Sequence, residues 1–474
     1  MNRLEKISLG EKIGYSLGDL AANLVFQTLI TYLAYFYTDV YGLEPKVATF
    51  IIFTVGIAAA FLFNPIMGAI SDRTKTRWGK FRPWILWTSV PLAITSILAF
   101  STPDFSTQGK ILYATITYSL LLLLYAANNL PYAALSGVIT GNMSERNSIS
   151  SFRFVAVMLA QFFVQVFMYD IVLKAGGGDK ALGFEKVVTF LAILGSVLLL
   201  ITFFSTKERI VPKPEQNSSL KQDVKDLFTN KPWIIMLFVT ISVFMTLSLK
   251  GGSYIFYFEN YLNKQALAKF LLPLKDILAS IGLTYESVPS MGFSIFNAGG
   301  ILCMILGIAF SRKLADKFGK RDVFRSALFL SMLFLVVFYF FSPYAIGLVY
   351  VSQILHGFFY GLTIPLLWAM IADVADFSEW KHNRRATGII FSAMMVGLKA
   401  GMSLGQGLIT WILDIFGYVP KSPEQTETAI NGIKLLISVF SALPFLVAVI
   451  LLLFYEIDKK MESQLETDLL ESRK

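Results

Sequence analysis

Long apolar blocks separated by short charged segments make up most of this chain. Each block is about 20 residues long, the length that an α-helix needs to cross the hydrocarbon core of a bilayer. The blocks do not alternate with the two-residue period of a transmembrane β-barrel. The pattern predicts an all-α membrane protein of twelve helices, near residues 14–38, 47–70, 84–101, 111–138, 151–173, 186–205, 232–258, 290–311, 324–341, 344–371, 388–416 and 431–455.

The predicted helices fall into two sets of six, on either side of a polar stretch that contains Pro212, Pro214 and two consecutive serines. This stretch has the composition of a linker. We therefore expect an N-terminal six-helix bundle (1–205), a cytoplasmic linker (206–231), a C-terminal six-helix bundle (232–456) and a cytoplasmic tail (457–474).

Residues 262–288 fit none of the twelve spans. They carry Leu271, Leu274 and Ile277 at near-helical spacing, and Pro273 interrupts the pattern. An amphipathic helix lying at the membrane interface is one interpretation. A lid over the outer vestibule is the other.

Composition and charge support a bilayer protein. Hydrophobic residues account for 55% and charged residues for 15% of the 474 residues, and the net charge is +9. No stretch is long enough to form a soluble basic face, so we do not expect nucleic acid as a partner. Lys and Arg instead favour the loops on the N-terminal side by roughly threefold, which predicts that both termini lie in the cytoplasm. The first apolar block is long and lacks a small-residue cleavage site, as in a retained helix of an inner-membrane protein surrounded by lipid.

Few residues in the chain suit metal or covalent chemistry. Cys303 is the single cysteine, and His356 and His382 are the two histidines, which excludes disulfides and a multi-histidine metal site. The chain also has no nucleophilic-serine motif and no phosphate-binding loop. We therefore expect that the protein binds no cofactor and is not an enzyme.

One loop occurs in both halves of the chain. Asp72 and Arg73 follow the second predicted helix and precede Arg77-Trp78-Gly79-Lys80-Phe81-Arg82; Asp316-Lys317-Phe318-Gly319-Lys320-Arg321 follows the eighth. An acid among basic residues at this place in each half is similar to the signature loop of the major facilitator superfamily, although an ordinary basic loop is the alternative. The resemblance implies two repeats that rock around a midplane site.

Other segments resemble a narrower family. The segment 77–84 reads Arg-Trp-Gly-Lys-Phe-Arg-Pro-Trp, and 373–381 reads Asp-Val-Ala-Asp-Phe-Ser-Glu-Trp-Lys. Together with the ends of the first two helices, these resemble the glycoside-pentoside-hexuronide:cation symporters, the melibiose permease-like family. The resemblance implies uptake of a sugar or glycoside coupled to sodium, lithium or protons.

The resemblance also implies a sugar site. Arg153 and Lys399 match the arginine and the lysine of that site, while Asn23 and Asn129 stand where the family has acids. Asp19 lies one helical turn before Asn23, so it is a candidate for the missing carboxylate or for a structural ion pair. Trp368 is a candidate to line the cavity, although aromatic residues also serve helix packing.

The cation site departs further from the family. Ala60 and Asn64 occupy the positions of two acids in the sodium-coupled members, so with Asn129 the implied cation pocket contains no carboxylate. Without a countercharge a sodium ion would bind weakly. The coupling candidates that remain are Asp19, Lys399 and His356. A Lys399–Asp19 pair would exchange a proton or lock the two halves together, and His356 would bind a proton or serve packing.

Charged side chains at the cytoplasmic ends of helices are predicted to form a gate by pairing with one another. A solvated loop face is the alternative. The candidates are Asp72, Arg73, Asp316, Asp373, Asp376, Glu379, Arg384 and Arg385.

The sequence thus predicts a monomeric secondary transporter that moves a sugar or glycoside across the cytoplasmic membrane by alternating access, with protons or no ion as the coupling partner. A transporter of an anionic, hexuronate-like solute or of a lipid-like solute is the alternative, because Arg153 and Lys399 would then be anion partners.

Overall fold

The computed structural model describes residues 6–140, 142–209, 227–280, 284–382 and 387–472. In these ranges the regular structure is helical, with no named β-strand and one isolated bridge between Thr76 and Gly79, which confirms the all-α fold class. The chain divides into two compact units. Unit 1 comprises Met1–Glu215 and Pro420–Ser422, and unit 2 comprises Gln216–Val419 and Pro423–Lys474.

The helices of unit 1 follow the predicted apolar blocks. They are α1 (Leu9–Tyr35), α2 (Pro45–Ala58), α3 (Asn64–Arg73), α4 (Arg82–Ala99), α5 (Thr107–Ile139), α6 (Met143–Phe162), α7 (Met168–Gly176) and α8 (Lys180–Ser205). π-Helical turns extend α1 over Phe36–Val40 and join α2 to α3 and α6 to α7.

Unit 2 begins at Gln216, inside the predicted linker, and its named helices start at Lys231. Its helices are α9 (Lys231–Asn260), α10 (Lys264–Ser280), α11 (Val288–Phe318), α12 (Lys320–Val336), α13 (Ile346–His382), α14 (Thr387–Ile415), α15 (Glu427–Leu435), α16 (Ser441–Leu453) and α17 (Lys459–Ser472). A π-helical turn joins α15 to α16. The predicted tail is therefore helical over α17.

Ten helical segments in the described part of the chain are long and apolar enough to cross a membrane. The prediction of twelve spans also includes residues 84–101 and 388–416, which the structure shows as α4 and α14. These two predicted spans therefore coincide with helices, although neither helix is among the ten candidate membrane spans.

The two units repeat one packing arrangement. In unit 1, α1 packs against α6 and α8, while α4 packs against α5 and α8. In unit 2, α9 packs against α14 and α16, while α12 packs against α13 and α16. Counted as spans, the first contacts the fifth and sixth, and the third contacts the fourth and sixth. The repeat that the loops indicate therefore extends to the packing of each bundle.

Helices α11 and α13 approach each other closely at small residues. A Cβ atom added to Gly307 would lie 2.1 Å from the backbone oxygen of Phe358, and one added to Gly361 would lie 2.1 Å from that of Met304. Neither position admits a side chain, as is common where membrane helices meet. This contact fixes the part of α13 that carries His356.

Helix α10 corresponds to the amphipathic stretch 262–288. Pro273 lies inside the helix and does not interrupt it, in contrast to the prediction. Leu267 and Leu271 are buried, whereas Leu274 and Ile277 are exposed. The exposed apolar side chains fit an interfacial helix, and a lid function stays a prediction.

Candidate functional site

Asp19 and Arg153 form an ion pair that joins α1 to α6 in unit 1. Arg153 donates from Nε to one carboxylate oxygen of Asp19 and from Nη2 to the other, the latter at 3.4 Å. Asp19 is 5% exposed, and the Arg153 side chain is 27% exposed. This pair differs from the predicted pair of Asp19 with Lys399, because α6 packs on α1 and its guanidinium matches a carboxylate in two-point geometry.

Two tyrosines lie next to this ion pair. The rings of Tyr15 on α1 and Tyr132 on α5 stack at a centroid distance of 4.7 Å. The guanidinium carbon of Arg153 lies 5.4 Å from the centre of one ring and 5.5 Å from the centre of the other. The guanidinium is therefore held by a carboxylate and by the electron-rich faces of two aromatic rings.

Asn23 extends the polar surface by one turn of α1. Its Nδ2 donates to the backbone oxygen of Asp19 at 3.0 Å. Among the described residues its Oδ1 accepts no hydrogen bond, and the residue is half-buried. An amide in this position can accept a hydrogen bond from a hydroxyl group.

The two consecutive asparagines of α5 have different environments. Asn128 is 1% exposed and donates to Thr88 Oγ1 at 2.7 Å, so it ties α5 to α4. Asn129, the predicted site residue, is half-buried and makes no hydrogen bond with the described residues. Its amide therefore keeps its hydrogen-bonding capacity.

The predicted cation positions have structural roles in α2 and α3. Ala60 is fully buried in the π-helical turn Ala59–Phe63. Asn64 donates from Nδ2 to the backbone oxygen of Ala59 at 2.6 Å. A π-helical turn changes the carbonyl pairing of the helix, and the Asn64 amide caps one of these carbonyls. The loss of the family's sodium ligands at these two positions stays a prediction.

The predicted residues of unit 2 lie on α13 and α14. His356 on α13 is fully buried and contacts Lys250 on α9, with 2.6 Å between Nε2 and Nζ. Lys399 is half-buried on α14, and Trp368 on α13 is 37% exposed. Lys250 was not predicted as a partner of His356, since no local pattern in the sequence links two residues 106 positions apart.

One predicted gate residue, Asp373, pairs with a lysine that was not among the candidates. Lys320, in the repeated loop, contacts both carboxylate oxygens of Asp373 at 2.6 Å. Lys320 begins α12, which packs against α13, so its ammonium is close to Asp373. It also lies 3.7 Å from Glu462 on α17. Burial raises the pKa of Glu462, Lys320 lowers it, and Asp373 raises it.

The other predicted gate residues are more exposed, or they lie outside the part of the chain that the structure describes. Asp316 forms a 3.9 Å pair with Arg312 in its own helix, and both side chains are solvent-exposed. Arg73 and Asp376 are exposed, and Glu379 is half-buried. Arg384, Arg385 and the side chain of Asp72 lie outside the described residues.

Glu208 holds the repeated loop of unit 1. Its carboxylate accepts hydrogen bonds from the backbone N–H groups of Lys80, Phe81 and Arg82 at 2.8, 2.7 and 2.9 Å. Gly79 has φ +113°, and a Cβ atom there would lie 2.4 Å from this carboxylate. Glu208 was not predicted, because a single acid in a polar linker has no distinguishing pattern in the sequence.

The described residues contain no group of three or more His, Cys, Asp or Glu side chains that could hold a metal ion. The polar groups described in the helical bundles include ion pairs, amides, hydroxyls and the basic contact between Lys250 and His356. Amides and hydroxyls suit reversible binding of an uncharged polar solute.

Comparison with known proteins identifies the family. The chain matches the MFS/sugar transport protein family over residues 14–285 and 290–459. It is 33% identical to the inner membrane symporter YicJ of Escherichia coli (strain K12) over 447 residues, 94% of this chain and 91% of that protein. It is also 33% identical to the putative glycoside/cation symporter YagG of the same organism over 462 residues, 97% of this chain and 95% of that protein.

The fold is similar to that of the nucleoside transporter NupG, with a TM-score of 0.61 at 15% identity over 94% of this chain and 99% of NupG. These matches and the repeated helical units define a multi-pass membrane transporter of the major facilitator type, not an enzyme. The chain belongs to the MFS/sugar transport protein family. Its resemblance to the glycoside-pentoside-hexuronide:cation symporters is confirmed.

Proposed function

We propose that this protein moves a sugar or glycoside across the cytoplasmic membrane by alternating access, driven by protons and not by sodium. One relative is named a putative glycoside/cation symporter, which supports a small polar cargo and a cation. Both termini are proposed to be cytoplasmic, because Lys and Arg are concentrated in the loops on that side. The functional unit is proposed to be a monomer.

The observation that carries the proposal is the set of groups that contact the guanidinium of Arg153. Asp19 engages its Nε and Nη2, and the stacked rings of Tyr15 and Tyr132 flank it. Among the described residues its Nη1 donates no hydrogen bond. A guanidinium held on one edge and available on the other is oriented to donate to the hydroxyls of a sugar.

Neighbouring amides add complementary groups. Asn23 offers an acceptor oxygen one turn from Asp19, and Asn129 on α5 offers both a donor and an acceptor. A sugar hydroxyl donates and accepts, so both amides are suitable partners. We propose that Asp19, Asn23, Asn129 and Arg153 of unit 1 bind the cargo. Lys399 and Trp368 of unit 2 stay proposed as cargo-binding residues on the family resemblance.

The choice of coupling ion rests on α2 and α3. Ala60 has no side-chain ligand atom and Asn64 has an uncharged amide, so neither position supplies a carboxylate. A sodium ion prefers carboxylate and other oxygen ligands that offset its lost hydration. We therefore propose a proton as the coupling ion, and we propose that Lys320 and Asp373 form part of the cytoplasmic gate.

Uptake by reconstituted protein tests the cargo site. Arg153→Ala is expected to abolish uptake while leaving expression intact. Arg146→Ala is a matched control, because Arg146 precedes Arg153 on α6 and, among the described residues, its side chain donates to the backbone oxygens of Thr140 and Gly137. Normal transport by Arg153→Ala would contradict the site.

The substrate and the ion are tested separately. A thermal-shift panel of neutral glycosides and hexuronates identifies the cargo class, since a bound ligand raises the melting temperature by mass action. Stabilisation by hexuronates alone would overturn the neutral cargo. Uptake is then measured with and without sodium and with an imposed pH gradient. Strict sodium dependence would contradict the reading of Ala60 and Asn64.

A further inference from the structure

Lys250 and His356 form a buried basic pair inside unit 2. Lys250 is 9% exposed, His356 is fully buried, and Nζ lies 2.6 Å from Nε2. The two residues lie on different helices, α9 and α13. A lysine and a histidine in hydrogen-bond contact within a membrane bundle are an unusual combination, because each is a base that carries a charge when protonated.

The partners of His356 define where a proton can reside. Its Nδ1 lies 3.0 Å from the backbone oxygen of Ser331 and 2.9 Å from the hydroxyl of the same residue. A carbonyl oxygen only accepts hydrogen bonds, so Nδ1 carries the proton and donates to it. Nε2 is then left to share a proton with the Lys250 amine.

The surroundings allow the pair one positive charge. The centre of the Tyr360 ring lies 5.0 Å from Nζ of Lys250, and this ring stacks on the His356 imidazole at a centroid distance of 6.1 Å. The ring of Phe445, on α16, lies 6.4 Å from the same imidazole. Among the described residues no carboxylate forms an ion pair with Lys250. Two adjacent cations without a countercharge repel strongly in an apolar medium, while a single cation is stabilised by the ring face.

The helices packed against the pair present other polar and ionisable groups in the described part of the chain. Helix α9 adds Tyr254, whose hydroxyl donates to Gln353 at 3.1 Å, and α13 adds Tyr360. Helix α12 contributes Ser331, and α16 contains no ionisable residue. Helix α14, which packs along α9, carries Lys399 and Asp414, and neither is hydrogen-bonded to the pair.

We propose that Lys250 and His356 form one proton-binding site, in which a single excess proton is shared between Nζ and Nε2, and that this site carries the coupling proton. In the unloaded state both bases are neutral. In the loaded state one proton has been added, the pair carries one charge, and no other bond has changed. The inference rests on the proposed proton-driven transport and names the residues that hold the proton.

Proteoliposomes separate proton coupling from cargo movement. Wild-type protein is expected to accumulate cargo when the outside is acidic and to exchange labelled for unlabelled cargo without a gradient. Lys250→Met and His356→Gln are expected to keep exchange and to lose accumulation. Lys434→Met is the matched control, since Lys434 also lies over a tyrosine ring, that of Tyr339, and is expected to accumulate cargo like wild type.

The outcomes distinguish two failures. If wild-type protein accumulates cargo in response to the gradient and both variants do so as well, the basic pair is not the coupling site although proton-driven transport stands. If wild-type protein shows no response to the gradient, proton coupling itself is wrong and the pair loses its proposed role. Exchange by each variant shows that the variant has folded.

Nuclear magnetic resonance measures the protonation of His356 independently of transport. His356 and His382 are the two histidines, so His382→Gln protein labelled with nitrogen-15 histidine reports His356 alone. We expect Nδ1 to remain protonated and the Nε2 signal to change as one proton is bound, and we expect Lys250→Met to abolish that change. A neutral imidazole that is insensitive both to pH and to Lys250→Met would overturn the shared-proton site.

Discussion

Tyr15 and Tyr132 are joined by two hydrogen bonds that run in opposite directions. The hydroxyl of Tyr15 donates to the backbone oxygen of Tyr132 at 2.8 Å, and the hydroxyl of Tyr132 donates to the backbone oxygen of Tyr15 at 2.7 Å. Both side chains are buried and their rings stack. The pair therefore fixes α1 against α5 and sets the surface on which Arg153 rests.

Gly18 provides the space for Tyr132, and this leads to a first prediction. A Cβ atom at Gly18 would lie 2.3 Å from Cε2 of the Tyr132 ring, whereas one at Gly10 meets nothing within 4 Å. Gly18→Ala is expected to lower the free energy of unfolding by about 1–3 kcal/mol and to reduce cargo affinity, because the ring must move. Gly10→Ala is expected to be neutral or slightly stabilising. Thermal melting and cargo binding of both variants check this, and equal behaviour would contradict it.

Glu208 supports a second prediction, about the repeated loop of unit 1. Its carboxylate accepts three backbone N–H groups at the start of α4, where the helix dipole also favours a negative charge. Glu208→Ala is expected to cost about 1–3 kcal/mol of stability, with Glu208→Gln intermediate. Glu185→Ala, at an exposed position on α8, serves as the control. A melting temperature for Glu208→Ala equal to that of the control would show that the loop does not depend on this carboxylate.

The sequence predicted the helices well and their contacts poorly. Apolar blocks identify membrane helices because each block must span the same thickness of hydrocarbon. The contacts join distant positions: Asp19 to Arg153 across 134 residues, and Lys250 to His356 across 106. Hydropathy does not record which face of a helix meets which neighbour.

The two asparagines of α5 illustrate the same limit. Asn128 and Asn129 are adjacent and chemically identical, yet the first is 1% exposed and bonded to Thr88 while the second is half-buried. Their roles follow from an angle of about 100° around the helix axis. Family resemblance identified Asn129, and only the packing of α4 against α5 explains Asn128.

Acid is expected to loosen the N-terminal segment of unit 1. Glu145 contacts the ammonium of Lys12 at 2.8 Å and accepts from the backbone N–H of Ile7 at 3.1 Å. The hydrogen bond from Lys12 lowers the pKa of Glu145, and that from Ile7 lowers it further. A carboxyl group whose pKa is lowered by folding stabilises the fold above its ordinary pKa and loses this contribution as the pH falls through the lowered value.

This dependence gives a third prediction. Glu145→Gln is expected to melt at a lower temperature than wild type near neutral pH, and the gap is expected to close as the pH falls from about 5 to about 3. Melting curves of both proteins across this range check the sign. A gap that stays constant with pH would show that the charge of Glu145 contributes nothing to stability.

Lys320 is predicted to offset the repulsion between two carboxylates of unit 2, those of Asp373 and Glu462. Its ammonium lies 2.6 Å from Asp373 and 3.7 Å from Glu462, so it links α12 to α13 and to the C-terminal helix α17. Lys320→Met leaves both acids without this cation and is expected to cost about 1–3 kcal/mol near neutral pH. Arg312→Met, which breaks an exposed 3.9 Å pair with Asp316, is the control and is expected to cost less than about 1 kcal/mol.

The pH response of the Lys320→Met variant tests the cause of its instability. Burial already raises the pKa of Glu462, and loss of Lys320, which lowers it, raises it further. A carboxyl group whose pKa is raised by folding binds its proton more tightly in the folded state, so stability increases as the pH falls towards the ordinary value. Lys320→Met is therefore expected to regain stability relative to wild type on acidification. The double variant Lys320→Met, Asp373→Asn is expected to recover part of the lost stability at neutral pH. If neither change restores the melting temperature, the loss comes from packing of the lysine stem and not from repulsion between the two acids.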